Sequence, residues 1–554
     1  MLNKTNTVVL CTALIAALLL SIFTMTSPTP ENRDDWFSAE RAFNHLEVIA
    51  KNQHSVFDLN EIEEVRNYLE ETIGTFSNVK WTRIKHSQIE VLNQKNGIKE
   101  RIDVDNIYAE ILGTSGTSML LMAHYDSSPY KVKYDVATEG SYGAADNGYG
   151  VATLLEIMRL LDDYSAQNKL VNGIKFVFTD AEEVGLGGAK ALIGEFVHWL
   201  KDINIVINLE ARGNKGPLYL FQTSDKNHKL IDFYSHSRLP FSFSIAADVY
   251  KHLPSDTDFT PFLNAGYAGL NFSTLNSLKY YHTPLDNLAN ADKATLQFYG
   301  EQIYPLVKEY TGKERYSAPE AFVSNNNAVF FTLFSGVLVF YSQSVSWILT
   351  IIVTLCTVFV IFFAVKRKAV LWKKILLAFG IWMGYLVAST VAGLFLAKLI
   401  GVVTGNAFAF TYMTHVPFDL GYVVIFVTLV LAAGILIAKL CRKLKCGANE
   451  IQGGALLLII LFNSASAFFL HGGTYLFLFP AIFMLIGFAL NLFFPFDKRW
   501  WRYILQAFAV LATSALYIML IYSLFLALTF GALAVILLFA SLLGCVLVSC
   551  IQNN

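Results

Sequence analysis

No cysteine stands between Cys11 and Cys356 in this chain of 554 residues. All six cysteines (Cys11, Cys356, Cys441, Cys446, Cys545 and Cys550) lie in apolar segments or their short connections. The long interval is thereby excluded from disulfide cross-linking and from thiolate metal sites, so any metal held there must use His, Asp and Glu. Cys441 and Cys446 sit in a Lys/Arg-rich stretch and read as ordinary thiols. Acid is the second scarcity. From Asn326 onward there are 3 Asp+Glu against 13 Lys+Arg, whereas the first 325 residues hold 40 Asp+Glu and 29 Lys+Arg. The net charge of −1 thus conceals an acidic half and a basic half. The acidic half has no basic stripe, and the other basic residues lie between apolar runs, which excludes nucleic acid as a partner. Charged residues make up only 15% of the chain and hydrophobic ones 54%, too apolar for a purely soluble protein. The polar first half equally excludes a bare transporter with short loops.

Residues 8–25 form an apolar run of 18, just long enough to cross a bilayer, after Lys4 and before the polar stretch 28–35. No small-x-small site ends the run, so it reads as an uncleaved anchor rather than a signal peptide. Seven further spans are expected near 347–365, 375–400, 420–438, 455–470, 475–494, 503–522 and 525–547. Basic clusters at 366–374, 439–445 and 498–502 mark the cytoplasmic side. Two spans separate successive clusters, and two separate Lys4 from Lys366. Eight spans therefore leave both termini inside and residues 30–343 outside. The apolar stretch 329–341 is short for a span and would break this parity; it reads as a strand or interfacial segment. The few polar residues of the apolar half, His415, Asp419 and His471, fall near external loops, and no intramembrane array of acids and arginines suggests an ion path. The expected division is an N-terminal transmembrane anchor (1–29), an extracytoplasmic domain (30–325) and an all-α transmembrane domain (326–554). Such a chain is a multi-pass protein of a bacterial cell membrane or of the lumenal side of a eukaryotic endomembrane, with the lipid bilayer as partner.

Within the polar half, short β-rich runs alternate with helical patterns. Residues 59–73 read as an amphipathic helix. Strands are expected at 118–123, 174–179, 203–209 and 269–273, and helices at 149–161 and from about Gly187. This alternation predicts an α/β fold with a mostly parallel central sheet flanked by helices, whose working residues gather at the C-terminal ends of the strands.

Those ends are chemically loaded. The first strand runs into His124-Tyr125-Asp126-Ser127, and its connecting loop carries Gly143-Ala144-Ala145-Asp146-Asn147-Gly148. The second runs into Asp180-Ala181-Glu182-Glu183-Val184-Gly185, and the third into Asn208-Leu209-Glu210-Ala211-Arg212-Gly213. The fourth precedes Tyr281-His282-Thr283-Pro284. Taken singly, each has an ordinary reading: a histidine without a ligand, a solvated acidic turn, a glycine turn. Taken together, so many acids in one place are costly unless a cation neutralises them. Imidazole plus carboxylate suits zinc, with manganese or cobalt as alternatives.

The order of these motifs resembles the co-catalytic zinc exopeptidases, a group that includes leucyl aminopeptidases, aminopeptidase Y and glutamate carboxypeptidases. The resemblance covers roughly residues 40–310. It is strongest to the membrane-tethered branch, of the vacuolar membrane protease and endoplasmic reticulum metallopeptidase type. It implies two zinc ions bridged by Asp146, one completed by His124 and Glu210, the other by Glu183 and His282. Asp126 would fix the His124 tautomer. Glu182 would be the general base that accepts a proton from water and passes it to the leaving amine. Tyr280 or Tyr281 would help the ions stabilise the oxyanion. The third-strand ligand is often Asp in this group, and Glu210 departs from that. Arg212 would bind a substrate carboxylate or pair with a neighbouring acid. The phrase Ser255-Asp256-Thr257-Asp258-Phe259 resembles a segment near the substrate pocket, with Asp256 a substrate-binding candidate; as plain structure, Ser255 or Asp256 would cap a helix.

The expectation is a membrane-anchored dizinc exopeptidase acting on peptides outside the cytoplasm, an aminopeptidase by first reading. A dipeptidase or carboxypeptidase on the same site, a glutaminyl cyclase and a non-catalytic receptor stay open as alternatives. The topology carries its own test: a reporter fused after Asn554 is expected on the cytoplasmic side, and an external reporter contradicts the eight-span arrangement.

Overall fold

The central strands are apolar along their whole length because both faces of the sheet they form are covered. The computed structural model describes residues 4–93, 98–129, 140–253, 255–410, 413, 415–493 and 500–551. It divides into two units, one of residues 26–340 and one of residues 1–25 with 341–554.

The chain begins with helix α1 (Lys4–Met25), followed by α2 (Ala39–Ile49), α3 (Leu59–Gly74), strands β1 (Lys80–Asn93), β2 (Ile98–Ile111) and β3 (Ser118–His124), and α4 (Gly148–Ser165). Then come β4 (Gly173–Thr179), α5 (Gly187–Glu195), β5 (Ile203–Leu209), β6 (Lys215–Thr223), α6 (His228–Tyr234), α7 (Ser244–Tyr250), α8 (Phe259–Asn264), β7 (Gly269–Asn276) and α9 (Lys293–Gly312). A seven-stranded sheet has the order β1-β2-β4-β3-β5-β7-β6. Its centre, β4-β3-β5-β7, is parallel, and β1, β2 and β6 are antiparallel at the margins. The sheet thus has the parallel centre that the sequence suggested, and antiparallel margins that make it mixed. The two strands at one margin escape a periodicity reading because the outer half of β2 is largely exposed and only its inner half is buried. There β1 and β2 pair as a polar ribbon.

Strands β3, β4 and β5 are buried from end to end. This suits parallel strands covered on both faces, which read as continuous apolar runs. Leu120, Met122, Val177 and Val206 pack with Leu192, Phe259 and Phe262 in one fully buried cluster. Helix α9 packs against α2 and α4. Gly300 of α9 sits where a Cβ would lie 1.9 Å from Cδ1 of the fully buried Phe37. One charge inside the sheet, Lys175 of β4, is neutralised by Asp202 at 2.5 Å and donates to the Trp199 carbonyl at 2.6 Å. Because β3 lies between β4 and β5, the chain leaves β3 toward one side and β5 toward the other. Such a reversal opens a crevice at the carboxyl ends of the strands, where the candidate residues project.

Strands β8 (Ala328–Phe334) and β9 (Val337–Ser342) form a separate two-stranded sheet. Residues 326–340 fall with the unit of residues 26–340 rather than with the apolar helices, so the division lies after 340 and not after 325. The cause is local bonding. Ala328 N donates to Asn227 Oδ1 at 2.8 Å, Phe330 N to Ser244 Oγ at 3.0 Å, and Thr332 N to the Ser242 carbonyl at 2.9 Å.

The second unit is helical: α1 together with α10 (Gln343–Lys366), α11 (Trp372–Thr404), α12 (Asp419–Lys443), α13 (Ala448–Phe469), α14 (Tyr475–Phe493), α15 (Trp500–Leu528) and α16 (Leu533–Ile551). Among the described residues, seven segments are long and apolar enough to cross a membrane, and the last of them, 504–548, takes in both α15 and α16. Helix α13 begins seven residues ahead of the expected span, because the polar residues Asn449, Glu450 and Gln452 continue the helix. Of the basic cluster 498–502, residues 498 and 499 lie outside the described residues. Helix α1 is a member of this unit and not a separate tether: it packs along α15, with Ser21 Oγ 3.3 Å from the Ala515 carbonyl. Buried polar pairs such as Ser346–Thr474 at 2.8 Å and Asn463–Thr350 at 3.2 Å link α10 to the start of α14 and to α13.

The Phe37–Gly300 contact sets a competition with a definite sign. Gly300→Ala gains about 1 kcal/mol of helix propensity, but the methyl overlaps a ring that has no room to retreat, and overpacking costs about 1–3 kcal/mol or more. The variant should lower the thermal midpoint of the full-length protein, and an unchanged or raised midpoint contradicts this packing.

Candidate metal centre and active site

The site is assembled where four strands end. His124 is the last residue of β3 and is 1% exposed. Its Nδ1 lies 3.0 Å from the Asp126 main-chain carbonyl. A carbonyl can only accept, so Nδ1 is the donor of this bond and Nε2 is the ring nitrogen that faces the neighbouring carboxylates. Nε2 is 3.4 Å from Asp146 Oδ1 and 3.4 Å from Glu210 Oε2. On the other side of Asp146, Oδ2 is 3.2 Å from His282 Nε2, which is also 2.9 Å from Glu183 Oε2. Asp146 thus turns one oxygen to each imidazole and divides the five side chains into two sets, His124 with Glu210 and His282 with Glu183. Ligand atoms of His124, Asp146 and Glu183 all lie within 4.8 Å of one another.

These donors fit divalent cations on an observation of their own. All five residues are buried, yet neither ring nitrogen of His282 nor Oε1 of Glu183 makes a hydrogen bond. His282 Nε2 and Glu183 Oε2 are close but not aimed at each other as donor and acceptor; the atoms converge on the space between them. The electrostatics agree. Burial opposes a charged His282, but Glu183 and Asp146 outweigh it and push the imidazole up to about 9. Burial also opposes a charged His124, and Asp126, Asp146 and Glu210 raise it well above the ordinary range. Burial, reinforced by Asp146, lifts Glu183 to about 7. Burial would raise Asp146 too, but the two histidines hold it below the usual carboxylate range. Without a cation, the cluster therefore keeps protons on its imidazoles, and a metal ion would replace those protons.

The surroundings position these groups. Asp126 accepts from the Glu182 amide at 3.0 Å and the Glu183 amide at 3.2 Å. Its carboxylate is 3.5 Å from His124 Nδ1, farther than its own carbonyl. Asp126 therefore holds the Glu182-Glu183 turn, and its main chain, not its carboxylate, orients His124. Asp180 anchors the start of that turn: fully buried, it receives Arg66 Nη2 at 2.6 Å and the Asp105 amide at 2.9 Å. Asn208 Nδ2 donates to Glu210 Oε1 at 2.9 Å. Asn147 caps α4 through the Gly150 amide at 3.2 Å and donates to the Leu209 carbonyl at 2.6 Å, tying the Asp146 loop to the end of β5.

Glu182 is partly exposed, and it is absent from the close contacts that join the five ligand candidates. Burial pushes its carboxyl well above the ordinary range; His124 pulls it down, and Glu210 and Glu183 add to the rise. Tyr281 stacks on His282, with ring centroids 3.7 Å apart, and the Arg212 guanidinium lies over the Tyr281 ring, 5.5 Å from its centroid. Tyr280 is instead occupied by Lys279, 4.9 Å above its ring. Asp256 is exposed and pairs with no basic residue among the described residues. The acid of that segment that turns inward is Asp258, fully buried, which receives the Thr179 hydroxyl. Burial raises Asp258 to about 8, with Glu210 adding to the effect. Neither Ser255 nor Asp256 caps α8; Asp258 stands at the cap position, and its side chain makes no capping bond to the helix.

A second residue missed from the sequence is Asp286, four residues after His282. It is 1% exposed and accepts from the Ala145 amide at 2.9 Å, the Asp146 amide at 3.1 Å and Asn214 Nδ2 at 3.0 Å. It binds the loop that presents Asp146 to the loop that presents His282. Its signal was its place at the end of the Tyr-His-Thr motif, where an acid is easily taken for part of a surface turn.

Residues 106–307, which carry the parallel centre of the sheet and the acids and imidazoles at its strand ends, match the model of peptidase family M28. Among individual proteins, the chain is 28% identical over 260 residues to a putative endoplasmic reticulum metallopeptidase 1-A of Caenorhabditis elegans, covering 46% of this chain and 28% of that protein. It is 27% identical over 317 residues to the vacuolar membrane protease of Clavispora lusitaniae, covering 53% of this chain and 29% of that protein. The chain thus spans under a third of the length of these curated relatives. Among solved structures, a Zn-dependent exopeptidase from Parabacteroides distasonis aligns with 50% of this chain and 99% of its own, at 18% identity and a TM-score of 0.40. A glutaminyl cyclase from Porphyromonas gingivalis aligns with 49% of this chain and 98% of its own, at 23% identity and a TM-score of 0.39.

The role of Asp286 can be measured apart from catalysis. Asp286→Ala releases the amides of Ala145 and Asp146, and residues that support metal ligands are worth about 10–100-fold in metal affinity. Competition with a chelator should show a loss of that size, and unaltered affinity contradicts a positioning role.

Proposed function

We propose that the protein is a membrane-embedded dizinc exopeptidase that hydrolyses peptides outside the cytoplasm and removes N-terminal residues. The observation that carries this reading is Asp146, buried between two imidazoles with one carboxylate oxygen turned to each. A carboxylate so placed serves two cations at once, and zinc suits a donor set of two imidazoles and three carboxylates. His124, Glu210 and Asp146 would hold one ion, and His282, Glu183 and Asp146 the other.

When bound, such a pair lowers the pKa of a water and polarises the scissile carbonyl. The remaining work falls to the chain. Glu183 is turned to His282, which leaves its neighbour Glu182 free to accept the water's proton. The Asp126 carboxylate, bonded to both amides, fixes this division of labour. The water oxygen bonds to the carbonyl carbon, the C–N bond breaks, and Glu182 delivers the proton to the leaving nitrogen. Tyr281, stacked on His282, is placed to border the oxyanion. The long apolar helices of the second unit support embedding in a bilayer, and the basic clusters between them support an external peptidase unit.

Glu182→Gln tests the mechanism. It keeps size and hydrogen bonding but cannot accept a proton, so turnover should fall about 100- to 10,000-fold with metal content as in the wild type. Undiminished turnover removes Glu182 from the mechanism.

A further inference from the structure

Arg212 lies two residues beyond Glu210, in the bend that follows β5. Its main chain is fixed, with its amide 3.0 Å from the Thr274 carbonyl and 3.1 Å from Ser273 Oγ. Its guanidinium rests over the Tyr281 ring, 5.5 Å from the centroid, and the same ring stacks on the His282 imidazole. Yet in this acid-rich site the cation has no acid of its own. Among the described residues no carboxylate lies within 4.0 Å of the Arg212 guanidinium, and none of its N–H groups makes a hydrogen bond. Other arginines of this unit behave differently: buried Arg66 pairs with Asp180 and Glu63, and half-buried Arg83 with Glu63 and Asp105. Arg212 is also only partly buried, so a solute can reach it.

A planar, permanently charged fork held beside a hydrolytic site without a partner is suited to a carboxylate, which it grips with two parallel hydrogen bonds. We infer that Arg212 binds the free α-carboxylate of the leaving amino acid, and that the preferred substrates are dipeptides. The inference rests on the proposed removal of N-terminal residues. In a dipeptide the leaving residue is also the C-terminal one, and its carboxylate carbon lies two bonds from the leaving nitrogen. That short reach matches a cation that shares the Tyr281 ring as a neighbour with the ligand candidate His282. Arg212 is then a specificity-determining residue that uses Tyr281 as its platform.

The test uses full-length protein in detergent with leucyl-leucine and leucyl-leucinamide, which differ only in the terminal charge. The wild type should prefer the free acid by about 10- to 100-fold in kcat/KM, mostly through KM, the scale of one charge-assisted contact. In Arg212→Ala the ratio of the two substrates should fall to about 1, and in Arg212→Lys, which keeps charge without the fork, it should lie between. As a readout without turnover, leucine should raise the thermal midpoint of the wild type more than leucinamide does, and Arg212→Ala should lose that difference. A wild-type ratio near 1 overturns the inference while the peptidase reading stands. Equal losses on both substrates with an unchanged ratio also overturn it, because Arg212 would then only support Tyr281. If the wild type cleaves neither peptide, the exopeptidase reading itself falls and takes this inference with it.

Discussion

The sharing of the Asp146 carboxylate between His124 and His282 is the constraint around which the unit of residues 26–340 is arranged. Three carboxylates and two imidazoles, all buried, are an expensive arrangement for a protein interior. The cost can be offset in two ways: by protons taken up on the imidazoles, or by cations placed among the donors. The directions in which these groups shift describe the first way, and the unaimed contact of His282 with Glu183 points to the second. The fold contributes by bringing the ends of β3, β4 and β5 side by side, with Asp146 at the mouth of α4.

Around the ligand candidates lies a set of acids with a different task. Asp126, Asp180 and Asp286 each accept main-chain amides, and each fixes a turn that carries a ligand candidate or the proposed base. Asp180 is held in turn by Arg66, whose Nε also donates to the Tyr125 hydroxyl at 2.7 Å. Removing one partner from such a buried pair leaves a charge without compensation, typically a loss of about 3–5 kcal/mol. Rigid support of this kind is what a water-activating centre needs, since small displacements of its groups cost rate.

Much of this was legible in the sequence. Fully buried parallel strands announce themselves as unbroken apolar runs, and β3, β4, β5 and β7 were found in that way. The chemistry at their ends was legible because polar clusters interrupt those runs abruptly. The ribbon of β1 and β2 was not, because a strand with one half in solvent has no apolar run to mark it. Asp286 and Asp258 were missed for another reason: an acid that accepts hydrogen bonds from inside the protein has the same letter as an acid on the surface. In the segment 255–259 the expected substrate residue, Asp256, is exposed, and the buried one is Asp258, a distinction that depends on how the chain enters α8. The boundary of the soluble unit shifted for a similar reason, since the apolar stretch 329–341 satisfies its main chain through Ser242, Ser244 and Asn227, partners distant in sequence.

The most direct test of the account is a count of metal ions in purified full-length protein, made by elemental analysis on the wild type and on Asp146→Ala. The account predicts two divalent ions per chain in the wild type, and in the variant the loss of both, since one side chain serves both positions. A wild type that binds no divalent ion, or a variant that keeps two, would contradict it.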